Sequence, residues 1–96
     1  MSFSLVLWHE LGDEINRLPG KIRRIIKPAL ERLEEDPFPG GREDKERLVL
    51  KGGVTMYRLR ISGRYVVFYE IDKEEKQVIV QEILPLEQAH KKYGDG

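Results

Sequence analysis

Cysteine is absent from this chain of 96 residues, which excludes disulfides, thiolate metal sites and thiol nucleophiles. Histidine is scarce, and His9 and His90 lie too far apart in sequence to suggest a metal pair. The expectation is that the protein uses no metal and no cofactor. No run of 18 or more apolar residues occurs, and the opening Met1-Ser2-Phe3-Ser4 lacks the basic region and apolar stretch of a signal peptide. These absences predict a cytoplasmic protein with no membrane association. Net charge is missing as well, because 17 Lys plus Arg balance 17 Asp plus Glu, which argues against a uniformly basic nucleic-acid binder.

What remains suffices for one core. Hydrophobic residues make up 40% of the chain, and a chain of about 100 residues usually forms one domain, here residues 1–96. The balanced charges are segregated. From Arg42 to Arg64, Arg42, Lys45, Arg47, Lys51, Arg58, Arg60 and Arg64 oppose Glu43, Asp44 and Glu46, a local charge of +4. From Glu70 to Glu87, six acidic residues oppose only Lys73 and Lys76, a local charge of −4. An anionic ligand should prefer the first segment.

Periodicity supplies the elements. Phe3 to Trp8 reads FSLVLW, a short apolar run whose length favours a strand. Leu11, Ile15 and Leu18 form a helical stripe that Pro19-Gly20 ends. Ile22, Ile25, Ile26, Ala29, Leu30 and Leu33 form a second, longer one, which should pack on the sheet. Pro28 is expected to kink this helix at a cost of roughly 3 kcal/mol, with two short helices as the alternative. Asp36 to Gly41 predicts a loop, and the charged run Arg42 to Arg47 extends it into solvent. Sheet follows: Leu48 to Leu50, then Val54 to Ile61, in which Tyr57, Leu59 and Ile61 point one way and Met56, Arg58 and Arg60 the other. Gly52-Gly53 marks a bulge or turn, Ser62-Gly63-Arg64 is of hairpin length, and Tyr65 to Ile71 and Gln77 to Leu84 complete an antiparallel meander closed by Pro85. Glu87 to Tyr93 could form a helical turn. The fold class is α+β, a small antiparallel-rich sheet of about four strands with two N-terminal helices on one face, in the order β-α-α-β-β-β.

That order, with LEEDPFPGG, LVLKG, MYRLRISGRYVVFYEID and VIVQEIL in succession, resembles the RelE/ParE toxin superfamily of type II toxin–antitoxin pairs over nearly the whole chain. The resemblance implies a RelE-like toxin that binds the ribosome's decoding site and cuts mRNA without metal, by attack of a ribose 2′-hydroxyl on the adjacent phosphate. It also implies a cognate RelB-like antitoxin covering the basic groove, with ribosome and mRNA as the other partners. Such chemistry needs cations on the phosphate, an acceptor for the 2′-hydroxyl proton and a donor to the leaving oxygen. By resemblance, Arg58 and Arg60 occupy the two basic positions of the second strand of the meander. Tyr93 matches a tyrosine near the RelE C-terminus, and His90 sits where related branches place a terminal histidine.

Two positions depart from the pattern. Tyr65-Val66-Val67-Phe68-Tyr69 stands where the family usually reads Tyr-Arg-Val-Ile-Tyr, so Val66 replaces an arginine. A second arginine, expected just after the last strand, falls around Leu86-Glu87. Arg64, read as lying on the same strand side as Val66, is the candidate to substitute. The catalytic set is thus Arg58, Arg60, Arg64, His90 and Tyr93, and the RNA-binding set Arg47, Lys51, Arg58, Arg60 and Arg64.

Each residue also has a plainer reading. Arg58 and Arg60 could pair with Glu70 or Glu82 on neighbouring strands for under about 1 kcal/mol each. His90 could be an ordinary surface residue, Tyr93 could pack on the core, and Lys51 could contact phosphate or nothing. Trp8 is expected in the core rather than as a base-stacking platform. The functional alternative is a ParE-like or catalytically impaired member that acts by binding a protein, DNA gyrase or the antitoxin, instead of cutting RNA.

Overall fold

Val66, Val67, Phe68 and Tyr69 are consecutive and all buried, so the strand that carries them must be covered on both faces. The computed structural model describes residues 2–40 and 45–93, without the side chain of Tyr93. Arg42, Glu43 and Asp44 of the basic segment lie outside the described residues. The elements are β1 (Ser4–Leu7), α1 (Leu11–Arg17), α2 (Gly20–Glu35), β2 (Lys45–Val49), β3 (Thr55–Ile61), β4 (Tyr65–Asp72), β5 (Gln77–Pro85) and α3 (Leu86–Tyr93). The sheet order is β1-β5-β4-β3-β2, which puts the doubly buried β4 in the middle. β2 to β5 pair antiparallel, whereas β1 pairs parallel with β5. The α+β arrangement expected from the sequence is found, with both N-terminal helices before the antiparallel strands.

One face carries the main core. Ile26, Ala29, Leu30 and Leu33 of α2 and Leu11 and Ile15 of α1 pack on Leu59, Ile61, Val67, Tyr69, Val78 and Val80 of the sheet. The stripe predicted from spacing is therefore the buried face of α2, with Ile22 and Ile25 packed at its margin. α2 is one continuous helix in spite of Pro28, which lies on the exposed side. There the carbonyl that loses its donor faces water. Tyr69 is fully buried, and its hydroxyl donates to the Pro37 carbonyl at 2.7 Å, fastening the Pro-rich loop to the central strand.

The opposite face holds a smaller cluster, Met56, Val66, Phe68 and Ala89, flanked by Leu48, Leu50, Leu84 and Leu86. Ala89 and Leu86 belong to α3, so the expected helical turn is an eight-residue helix covering the second face. Two further differences concern the edges. The charged run does not all lie in a solvent loop, since β2 begins at Lys45 and pairs with β3 as a fifth strand. Lys45 is buried, with its Nζ donating to the Asp36 carbonyl at 2.7 Å. Trp8 is 51% exposed rather than in the core, because β1 ends at Leu7 and the chain then turns through His9 with φ of 46°, beyond the cover of any element. The β2–β3 connection uses Gly52 and Gly53 at φ of 87° and 80°, a left-handed conformation that glycine adopts without steric cost.

Candidate functional site: the sheet face under the C-terminal helix

Alternation along β3 sends Leu59 and Ile61 into the main core and Met56, Arg58 and Arg60 to the α3 side. The two arginines are two residues apart on one strand, so their Cα atoms stand roughly 6.5 Å apart. Register defines their surroundings. Arg58 lies between Glu46 on β2 and Phe68 on β4, and Phe68 in turn faces Glu82 on β5. Arg60 is paired with Val66, which is paired with Leu84.

The Arg58 guanidinium donates to Glu46 Oε2 at 2.6 Å. Its ion-pair partner is thus neither Glu70 nor Glu82, because β2 starts early enough to bring Glu46 directly opposite. Glu70 instead accepts from Gln81 Nε2 at 3.3 Å, and Glu82 pairs with Lys92 Nζ of α3. The Glu46 side chain is 55% exposed but that of Arg58 only 16%, so an incoming phosphate has to compete with Glu46 for a largely covered guanidinium. Arg60 is exposed and forms no ion pair among the described residues.

The remaining predicted residues are not gathered at this place. Arg47 is the register partner of Tyr57 and so belongs to the opposite face. Lys51 is exposed in the β2–β3 turn at one end of the hairpin. Arg64 stands in the three-residue β3–β4 turn at the other end, not in the strand, and its carbonyl accepts from the Leu86 N–H at 2.8 Å. His90 is exposed in the last turn of α3. Tyr93 ends that helix, and its side chain lies outside the described positions.

Both departures from the family pattern have a structural counterpart. Val66 is 3% exposed and belongs to the small core beneath α3, a seat no unpaired guanidinium could occupy cheaply. Glu87 lies in the first turn of α3, with His90, Lys91 and Lys92 in the last. That distribution complements the helix dipole.

Sequence reasoning missed a cleft of about 610 Å³ beside the site, lined by Trp8, His9, Glu10, Glu14, Gln81 and Lys92 among others. Trp8 and His9 meet edge to face there at 4.5 Å. The chain passes this space through the left-handed turn at His9, and no periodicity announces such a turn. With Glu10, Glu14 and Glu82 against Lys92 on its walls, the cleft is a poor place for phosphate.

A five-stranded mixed sheet with two helices on one face and a terminal helix on the other is a RelE-like fold. The family model of the "ParE toxin of type II toxin-antitoxin system, parDE" matches residues 8–89. The chain belongs to that family and is the toxin component of a type II toxin–antitoxin system. Solved structures agree in fold. The archaeal RelE–RelB complex from Pyrococcus horikoshii aligns at a TM-score of 0.71 with 24% identity, covering 88% of this chain and 96% of that one. The RelBE2 toxin–antitoxin complex of Mycobacterium tuberculosis gives 0.67 and 18%, covering 86% and 96%. The RelB–RelE complex of Methanococcus jannaschii gives 0.64 and 20%, covering 92% and 98%. No curated sequence matches the chain.

Proposed function

We propose that this toxin inhibits translation by cutting mRNA on the ribosome, using the α3-side face of β3 to hold the scissile phosphate. The observation that carries this is the placement of Arg58 and Arg60 side by side on one face, with Arg60 free among the described residues and Arg58 held only by an exposed carboxylate. Planar guanidinium groups stay charged at any physiological pH and present paired donors to phosphate oxygens. The 2′-oxygen attacks phosphorus, the bond to the 5′-oxygen breaks, and the products are a 2′,3′-cyclic phosphate and a 5′-hydroxyl. His90 or Tyr93 would take or return the proton, and the arginines would neutralise the phosphorane charge. A RelB-like antitoxin that covers this face would inhibit it, as the RelB complexes of related toxins suggest. The test is translation of a reporter mRNA by purified ribosomes with stoichiometric toxin, followed by primer extension. New 5′ ends within the message are expected, and uncut message overturns the reading.

Val66 and Glu87 favour a second reading. With a valine and a glutamate at two expected cationic positions, the protein could act by binding DNA gyrase, or serve only as an antitoxin ligand. Inhibited supercoiling with intact message selects the first. Tight antitoxin binding without growth arrest selects the second.

A further inference from the structure

The two N-terminal helices leave one end of their side of the sheet uncovered. They pack on Leu59, Ile61, Val67 and Tyr69, and the same face runs on past them through Arg47 and Val49 of β2, Thr55 and Tyr57 of β3 and Ile71 of β4. Arg47, Thr55, Tyr57 and Ile71, with Lys73 from the turn after β4, line a groove of about 460 Å³. Among the described residues no carboxylate lines it. Arg47 and Lys73 are exposed and form no ion pair among the described residues. Lys73 Nζ sits 5.6 Å from the Phe38 ring centroid, while the neighbouring Asp72 carboxylate accepts the Glu75 N–H at 3.1 Å. Val49, next but one to Arg47, is 65% exposed, more than any other large apolar side chain among the described residues.

Protection of the sheet edge does not account for this pattern. β2 is the outermost strand, and a cation on an edge strand discourages pairing with other chains. Arg47 alone would serve that end, whereas Val49 works against it by presenting apolar surface at the same edge. The wall of the groove is also firm. Tyr57 is half-buried and stacks on Tyr69 at 5.6 Å, and the Tyr69 hydroxyl bonds the Pro37 carbonyl. Two cations from separate elements and an exposed valine therefore share one fixed surface.

We infer that this uncovered end, at Arg47, Val49, Tyr57 and Lys73, is a docking surface for an extended acidic segment of a protein partner. Charge selects an anionic occupant, and spacing selects a peptide. Arg47 and Val49 are two residues apart on one strand, so they stand roughly 6.5 Å apart on the same face. An extended peptide has the same two-residue period, so an acidic and an apolar side chain at i and i+2 reach the cations and Val49 together. A nucleic-acid backbone brings the anions without the apolar group and leaves Val49 uncovered. A lipid surface fits poorly, because a single exposed valine gives too little to insert. The surface lies on the opposite side of the sheet from Arg58 and Arg60 and does not rest on the nuclease reading.

The test titrates the isotope-labelled full chain with an acetylated hexapeptide of alternating glutamate and valine and follows the backbone amide resonances. Shifts should cluster at Arg47 to Val49, Thr55 to Tyr57 and Ile71 to Lys73, and saturate at millimolar peptide. An exposed ion pair is worth up to about fivefold in affinity, so R47A/K73A should weaken binding about five- to twentyfold. V49S should weaken it about threefold through lost apolar contact. R17A/K21A loses the same charge elsewhere and should leave binding within about twofold. Every substituted side chain is exposed, so resonances away from the substitutions should not move. Equal losses in R47A/K73A and R17A/K21A, or no shift at millimolar peptide, would overturn the surface. So would equal binding of a hexapeptide of alternating lysine and valine, which is apolar contact without charge selection. Equal shifts of the same amides by inorganic phosphate or by an oligouridylate at the same concentration would overturn it too, since an anion alone would then suffice.

Discussion

Replacing Val66 by arginine probes how the small core under α3 is built and why the expected cation is missing. Val66 is almost fully buried against Met56, Phe68 and Ala89, and its burial is worth about 1.5 to 3 kcal/mol. A guanidinium left unpaired there costs several kcal/mol more. α3 is attached by Ala89, the half-buried Leu86 and the Lys92–Glu82 pair. These contribute about 1 kcal/mol each, and an eight-residue helix has little stability of its own. Undocking α3 is therefore the cheaper escape for Val66→Arg. Amide exchange should show the α3 backbone losing its protection, and far-UV circular dichroism should lose about one short helix, while global stability falls by about 2 to 4 kcal/mol. The freed arginine would stand beside Arg60, since cross-strand partners have Cβ atoms about 5 Å apart. Undocking also carries His90 and Tyr93 away with α3, so on the nuclease reading the added cation should not raise cleavage. Full protection of the α3 amides in Val66→Arg would refute this account of how the helix is held.

Tyr69→Phe removes the buried bond to the Pro37 carbonyl and should lower stability by about 1 to 3 kcal/mol in urea titration. Leu33→Ala, at the fully buried end of the α2 stripe, should cost about 2 to 5 kcal/mol by the same measurement. Glu46→Gln releases Arg58 and should change stability by less than about 1 kcal/mol. It should also steepen the salt dependence of RNA binding by about one contact in an anisotropy series. Gly63→Ala, at φ of 65° in the β3–β4 turn, should destabilise by about 1 kcal/mol in thermal denaturation, because alanine is strained in that region.

The elements that sequence revealed are those whose apolar spacing is long and unbroken. The Ile22 to Leu33 stripe defines the buried face of α2, and the alternation from Met56 to Ile61 places Arg58 and Arg60 on one side of β3. Leu48 to Leu50 read as sheet, but the first half of β2 escaped because Lys-Glu-Arg opens it. Its place in the sheet comes from pairing with β3, and its buried lysine is satisfied by a distant carbonyl. α3 has only Leu86 and Ala89 to bury, too few to show a period. The partner of Arg58 followed from where β2 begins, which local pattern does not fix. Trp8 looked like core by type and stands exposed because the strand before it stops one residue short.

Primer extension on a reporter mRNA translated by purified ribosomes, with wild-type toxin beside Arg58→Ala/Arg60→Ala, tests the central claim most directly. The account predicts discrete new 5′ ends with the wild type and at least about a hundredfold slower cleavage with the double variant. Intact message at stoichiometric wild-type toxin, or equal cutting by both proteins, would contradict it.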